Sequence, residues 1–117
     1  MPCYDANMYR NILEQMQECV WQRRVVIPTH AFVAMTQDVF TPEDIYHCIL
    51  QGEIVERQWN RNYSEYKYVL DGEAEDGSGM QLVAKLHQIT RDTYIITVYR
   101  VYCYDYQNQN AQNETTS

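Results

Sequence analysis

Thr41-Pro-Glu-Asp-Ile-Tyr-His-Cys-Ile-Leu-Gln-Gly52-Glu-Ile-Val-Glu56 is the stretch on which the fold turns. Its first part carries a complete helix start. Thr41 has the side chain of an N-cap, Pro42 suits the first helical position, and Glu43 and Asp44 sit where the positive end of the helix dipole favours carboxylates. Ile45, Cys48 and Ile49 recur at helical spacing and form the buried face, and Gly52 ends the helix. From Glu53 onward the apolar period drops to two, the signature of a strand. The same period marks Glu53 to Trp59, Tyr66 to Asp71, Met80 to Gln88 and Tyr94 to Tyr104, and four consecutive strands imply an antiparallel meander.

Towards the N-terminus, Thr29 precedes His30-Ala-Phe-Val-Ala-Met, with Ala31, Phe32 and Met35 on one helical face, so a short helix is expected to end near Asp38. Val25-Val-Ile before it reads as a short extended segment broken by Pro28. Earlier still, Asp5 can cap an amphipathic helix built on Met8, Ile12, Met16, Cys19 and Val20 that ends near Trp21-Gln-Arg-Arg. Towards the C-terminus, Asp71 to Gly79 is a polar hairpin loop and Thr90-Arg-Asp-Thr a tighter one. The expected division is an N-terminal amphipathic helix in residues 1–24, an α+β domain in 25–106 and a disordered polar tail in 107–117. The fold class is α+β, with N-terminal helices packed on one face of a four-stranded antiparallel sheet, or of a five-stranded mixed one.

The chain has 117 residues, 45% of them hydrophobic and 11 of them tyrosine, enough for one core. It carries no apolar run of membrane-spanning length and no secretory signal at Met1-Pro-Cys-Tyr-Asp5, so the expected location is the cytoplasm and no membrane partner is expected. The net charge of −7 opposes general attraction to polyanions, and any nucleic-acid contact must use a local cluster of cations. Cys3, Cys19, Cys48 and Cys103 form no C-x-x-C pair, and His30, His47 and His87 do not complete a ligand pattern with them. No metal or other cofactor is expected, and the P-loop, G-x-G-x-x-G, G-x-S-x-G and H-E-x-x-H motifs are all missing.

His30-Ala-x-x-x-Met35, Thr41-x-Glu-Asp-Ile45, Gly52-Glu-Ile-Val-Glu56 and Ile95-Ile-Thr-Val-Tyr99 together resemble domain of unknown function family 4258, over roughly Val26 to Tyr99. That family looks like a branch of the RelE-like ribonuclease superfamily. The resemblance implies a RelE-like toxin of a toxin-antitoxin module, a metal-independent endoribonuclease acting on RNA, with a small protein antitoxin as partner. The chain departs from the family where members often carry arginines, four and eight residues after the histidine, since Ala34 and Asp38 stand there. Val83 occupies a strand position where a histidine is common.

Cleavage of an RNA backbone needs activation of a 2′-hydroxyl, protonation of the leaving oxygen and stabilisation of the phosphate charge. The groups available as catalytic residues are His30, Lys85, His87 and Tyr99, with Arg57, Lys67, Arg91 and Thr97 as substrate-binding residues. His30 would start a helix, where free backbone N–H groups also suit a phosphate oxygen. Lys85 and His87 would share one face of the third strand, Thr97 and Tyr99 one face of the last. A two-residue turn at Arg91-Asp92 sets His87 opposite Ile96, and a loop one residue longer shifts that register by one, which decides whether His87 meets the face that carries Thr97 and Tyr99. The tyrosines can stack RNA bases or fill a core or protein interface. The alternative to a nuclease is a non-catalytic acidic relative that acts as a protein-binding or inhibitory module, motivated by Ala34, Asp38, Val83 and the charge.

Overall fold

Residues 9–101 are described by the computed structural model. Their elements run α1 (Arg10–Trp21), β1 (Val25–Val26), α2 (Thr29–Gln37), α3 (Pro42–Gln51), β2 (Glu53–Asn60), β3 (Glu65–Glu73), β4 (Gly79–Leu86) and β5 (Thr93–Arg100). One sheet holds all the strands in the order β1-β5-β4-β3-β2. Strands β2 to β5 form the expected antiparallel meander, and β1 adds a parallel pairing through Val25↔Thr93 and Val26↔Tyr94. The sheet is therefore five-stranded and mixed, which sets aside the four-stranded count. A two-residue parallel strand has no local signature, because its pairing exists only once β5 is in place.

Helix α3 forms as its sequence dictates. Asp44 N–H donates to Thr41 Oγ1 at 3.3 Å, while Asp44 Oδ2 accepts from Thr41 N–H at 2.9 Å, a reciprocal capping box. The other oxygen of Asp44 accepts from Glu75 N–H at 3.0 Å, so the cap also anchors the β3–β4 connection. Helix α2 begins one residue earlier than expected. Pro28 takes the N-cap position, Thr29 is already helical, and no side chain caps the helix. Ala31 and Met35 are buried as expected, but Phe32 turns out to solvent. The expected Asp5 cap of α1, and Met8 with it, lie outside the described residues, as do the end of the expected last strand and the C-terminal tail.

Helices α1 and α2 both stop without a glycine. At α1, Arg24 N–H donates to Cys19 O and Arg23 N–H to Val20 O; at α2, Phe40 N–H donates to Met35 O and Val39 N–H to Thr36 O. These are paired Schellman bonds, which demand a left-handed residue, supplied by Arg23 at φ 59° and Val39 at φ 62°. For β-branched Val39 that conformation costs about 1–3 kcal/mol.

The core lies between the helices and one face of the sheet. Met16, Cys19, Ala31, Met35, Ile45, Cys48 and Ile49 pack against Ile54, Tyr68, Leu70, Leu82, Ala84, Ile95 and Val98. Helix α1 joins this core and is further tied to α3 by Gln17 Nε2, which donates to Ile49 O and Leu50 O. Its far end is fastened to the β4–β5 loop. Arg24 Nε donates to Asp92 Oδ1 at 2.7 Å and Arg24 Nη2 to Thr90 O, while Arg91 Nη2 donates to Gln15 Oε1 at 2.7 Å.

The Arg24 hydrogen bond, helped by Thr90, holds the Asp92 carboxyl below the usual carboxylate range against the opposing effect of desolvation. A carboxyl whose pKa is depressed in the folded state stabilises fully above its unfolded pKa, about 3.9. That stabilisation is lost as the pH falls through the lower folded value. Asp92→Asn is thus expected to lower the urea midpoint at pH 7 and to make progressively less difference as the pH is brought below 4, where the parent loses the same interaction; urea titrations across that range check it.

Candidate functional site

The helices cover one face of the sheet and leave the other uncovered. Two β-bulges decide which residues reach it. In β5, Val83↔Thr97 is followed by Ala84↔Ile95, so Ile96 is an extra residue; in β2, Ile54↔Leu70 is followed by Glu56↔Val69, so Val55 is extra. Strict alternation from buried Ile95 would aim Thr97 and Tyr99 into the core. The bulge instead places Val98 in the core beside Ile95 and sends Ile96, Thr97 and Tyr99 to the uncovered side. Both bulges fall in one row, Glu56↔Val69↔Val83↔Thr97, across four strands.

A shallow depression of about 600 Å³ occupies the middle of this face. Val55, Val69, Val83 and Ile96 are its apolar members, and Gln58, Lys67, Gln81, Thr97 and Tyr99 are among its polar ones. Gln81 Nε2 donates to Asp71 Oδ1 at 2.8 Å beside it. Lys85, further along β4, donates to Glu65 Oε2 at 2.5 Å, and both side chains are largely covered, at 21% and 11% exposure. The Lys85 ammonium also lies 5.2 Å from the Tyr63 ring centre and 5.9 Å from that of Tyr94. Its charge is thus already compensated.

The predicted residues divide into three places. Lys67, Lys85, Thr97 and Tyr99 share the uncovered face. His87 lies just beyond β4, its ring 5.4 Å from that of Tyr94 at the end of the same face. It does not stand opposite Ile96 or any other residue of β5, because Leu86 pairs with Thr93 and His87 N–H donates to Asp92 O. The loop is longer than either expected turn, Gln88 to Arg91, and closes through Arg91 at φ 63°. His87 Nδ1 accepts from Ile89 N–H and Thr90 N–H at 3.2 Å each, which requires that nitrogen to be unprotonated and makes the ring a brace for the loop.

Arg57 and Arg91 lie on the helical side. Arg57 sits over the Tyr66 ring at 4.1 Å, and Tyr66 alternates with Tyr68 and Leu70 of the core face. His30 is exposed at the start of α2, in the helical layer, and lines none of the depressions that the other predicted residues share. The expected gathering of His30 with Lys85, His87, Arg91 or Tyr99 around one cleft is not made.

Missed in the sequence were Glu65, the partner of Lys85, and Trp59, half-exposed at the sheet edge. Glu65 shares the two-residue period of Lys67, but its meeting with Lys85 needs the β3–β4 register. Cys48 is buried under Gly72, and desolvation pushes its thiol up to about 12, so it is a packing group rather than a nucleophile. Among the described residues no three His, Cys, Asp or Glu side chains converge as metal ligands, and no helix is long and apolar enough to cross a membrane.

Fold and site together define an α+β domain with three helices on one face of a five-stranded mixed sheet and an uncovered, bulged opposite face. The family described as Domain of unknown function (DUF4258) matches residues 27–100, and the chain belongs to that family. No curated protein and no solved structure matches it significantly.

Proposed function

We propose that this protein is a non-catalytic member of its family that acts by binding a protein partner on the uncovered sheet face. The observation that carries this reading is the dispersal of the proton-transfer groups. From Tyr94, beside His87, to Tyr99 is five residues of strand, roughly 15 Å at about 3.3 Å per residue. An acid and a base acting on one phosphodiester must both come within about 3 Å of its reacting atoms. His87 and Tyr99 cannot, and His30 lies in another layer.

Electrostatics favours the same conclusion. The face carries Lys67 and Lys85 against Glu56, Glu65 and Asp71, and its apolar centre of Val55, Val69, Val83 and Ile96 resembles the dry middle of a protein interface more than a phosphate track. An antitoxin-like or inhibited protein is the kind of partner in view.

A RelE-like ribonuclease toxin is the second reading, favoured by the common placement of Lys67, Lys85, Thr97 and Tyr99 on one face. Induced expression separates the two. Growth and bulk RNA are expected to stay unchanged, while Ile96→Asp with Tyr99→Ala removes whatever protein co-purifies with the parent chain. Growth arrest that Tyr99→Phe abolishes would overturn the binding-module reading and establish the toxin.

A further inference from the structure

On the helical side, where β2 and β3 run past α1, a cleft of about 240 Å³ has Trp59, Tyr66, Gln88, Arg91, Ser64 and Glu65 in its lining. Trp59 and Tyr66 meet edge-on with ring centres 4.9 Å apart, yet remain 54% and 42% exposed. Burial in the core does not account for a tryptophan left so open at the end of an edge strand.

One arginine, Arg91, lines the cleft, and a second, Arg57, lies beside it on the ring of Tyr66. Arg91 binds only the neutral Gln15 Oε1 and, among the described residues, neither arginine has a carboxylate within ion-pair distance. Glu65, the one carboxylate in the lining, is paired with Lys85. Both guanidiniums are close enough to the Tyr68 phenol to act against the rise in its pKa that burial causes. In a chain of net charge −7 this is a local positive site beside flat aromatic surface. Its volume is below the range of about 300–1,000 Å³ typical of sites that enclose a whole small molecule, and suits one planar ring with an anionic group left outside.

We propose that this cleft is a nucleotide-binding site, with the base stacked on the Trp59 indole and the phosphate held by Arg91, the charge of Arg57 on the neighbouring Tyr66 ring adding to the attraction. Stacking supplies sequence-tolerant attraction, and the Arg91 guanidinium supplies charge-assisted hydrogen bonds to the phosphate oxygens. Gln88 and Ser64 are placed to reach base or sugar hydroxyl edges. The site is separate from the uncovered face and does not depend on how that face is used. The nucleotide is either free or one unit of a single strand.

The chain has two tryptophans, so Trp21→Phe leaves Trp59 as the fluorescent reporter. In that protein, AMP and a short oligoadenylate are titrated beside adenosine, which has the base without the phosphate. Quenching by AMP at lower concentration than by adenosine, weakened about tenfold by Arg91→Gln and reduced by added salt, is the expected result. Binding of the oligonucleotide with none of AMP also supports the site and assigns it to a strand. Absence of quenching by both overturns the proposal, as does quenching by AMP no stronger than by adenosine and unchanged by salt. The salt titration uses the Trp21→Phe protein alone, so it decides the matter even if an arginine variant loses its fold.

Discussion

Gly52→Ala is expected to destabilise the domain by about 3 kcal/mol, the upper part of the range for overpacking a closed interface. A β-carbon at Gly52 would stand 2.4 Å from Asp71 O and 2.5 Å from Cys48 O. Both are backbone atoms held in hydrogen-bonded elements, so neither can swing aside. The backbone angle is ordinary, φ −94°, and the requirement for glycine is therefore one of space: the end of α3 lies directly on β3. Gly72 faces the same contact from the strand, its β-carbon position 2.8 Å from Cys48 Sγ and 3.0 Å from Cys48 O.

Urea unfolding checks this. With a slope of about 1–3 kcal/mol per molar urea, the Gly52→Ala midpoint should fall by about 1 M or more at unchanged slope. Gly72→Ala should also destabilise, and Cys48→Ala should recover part of that loss because one of the clashing atoms is a side chain. No such rescue is expected for Gly52→Ala. Gly77, at φ 89° with nothing near its β-carbon position, is the comparison: alanine there costs about 1 kcal/mol through backbone strain alone. A midpoint for Gly52→Ala no lower than that of Gly77→Ala would refute the packing account.

Deleting Val98 is expected to abolish folding, whereas deleting Ile96, two residues away in the same strand, leaves a folded protein. Ile96 is the extra residue of the bulge. Its removal leaves Ile95↔Ala84, Thr97↔Val83 and Val98↔Leu82 as a regular ladder with every side chain on its present face. The loss is about 1–3 kcal/mol in strand twist and local packing, within what a typical domain tolerates. Without Val98, Tyr99 would move into a core slot that is 2% exposed, and Arg100 would shift off Asp38, whose carboxylate accepts from Arg100 N–H and whose carbonyl accepts from Arg100 Nη2. A one-residue slip of this kind exchanges the faces of a strand end. Circular dichroism melts of the two deletions separate these outcomes, and equal behaviour would show that the bulge does not set the faces.

Asp38, where the family resemblance led to the expectation of a cation, holds the end of β5, with the Arg100 guanidinium also 4.4 Å from the Phe40 ring. A residue that looked like a lost functional position has a structural partner far along the chain. Arg91 lines one cleft with Trp59 and Tyr66, the ring on which Arg57 lies, a meeting that no spacing in the chain could have shown.

What the sequence by itself determined is local: the capped start and glycine end of α3, the apolar faces of the helices, and the change of period after Gly52. Each depends on side chains within a few positions of one another, where a capping box or a helical repeat acts without the rest of the molecule. Tertiary structure alone decided the parallel β1, the two bulges, the loop that carries His87 out of β4, and the separation of His30 from Tyr99. Those features depend on which strands meet and in what register. Register is set by fitting apolar side chains from the whole chain into one core, and a single inserted residue in that fit turns Thr97 and Tyr99 from the buried face to the open one.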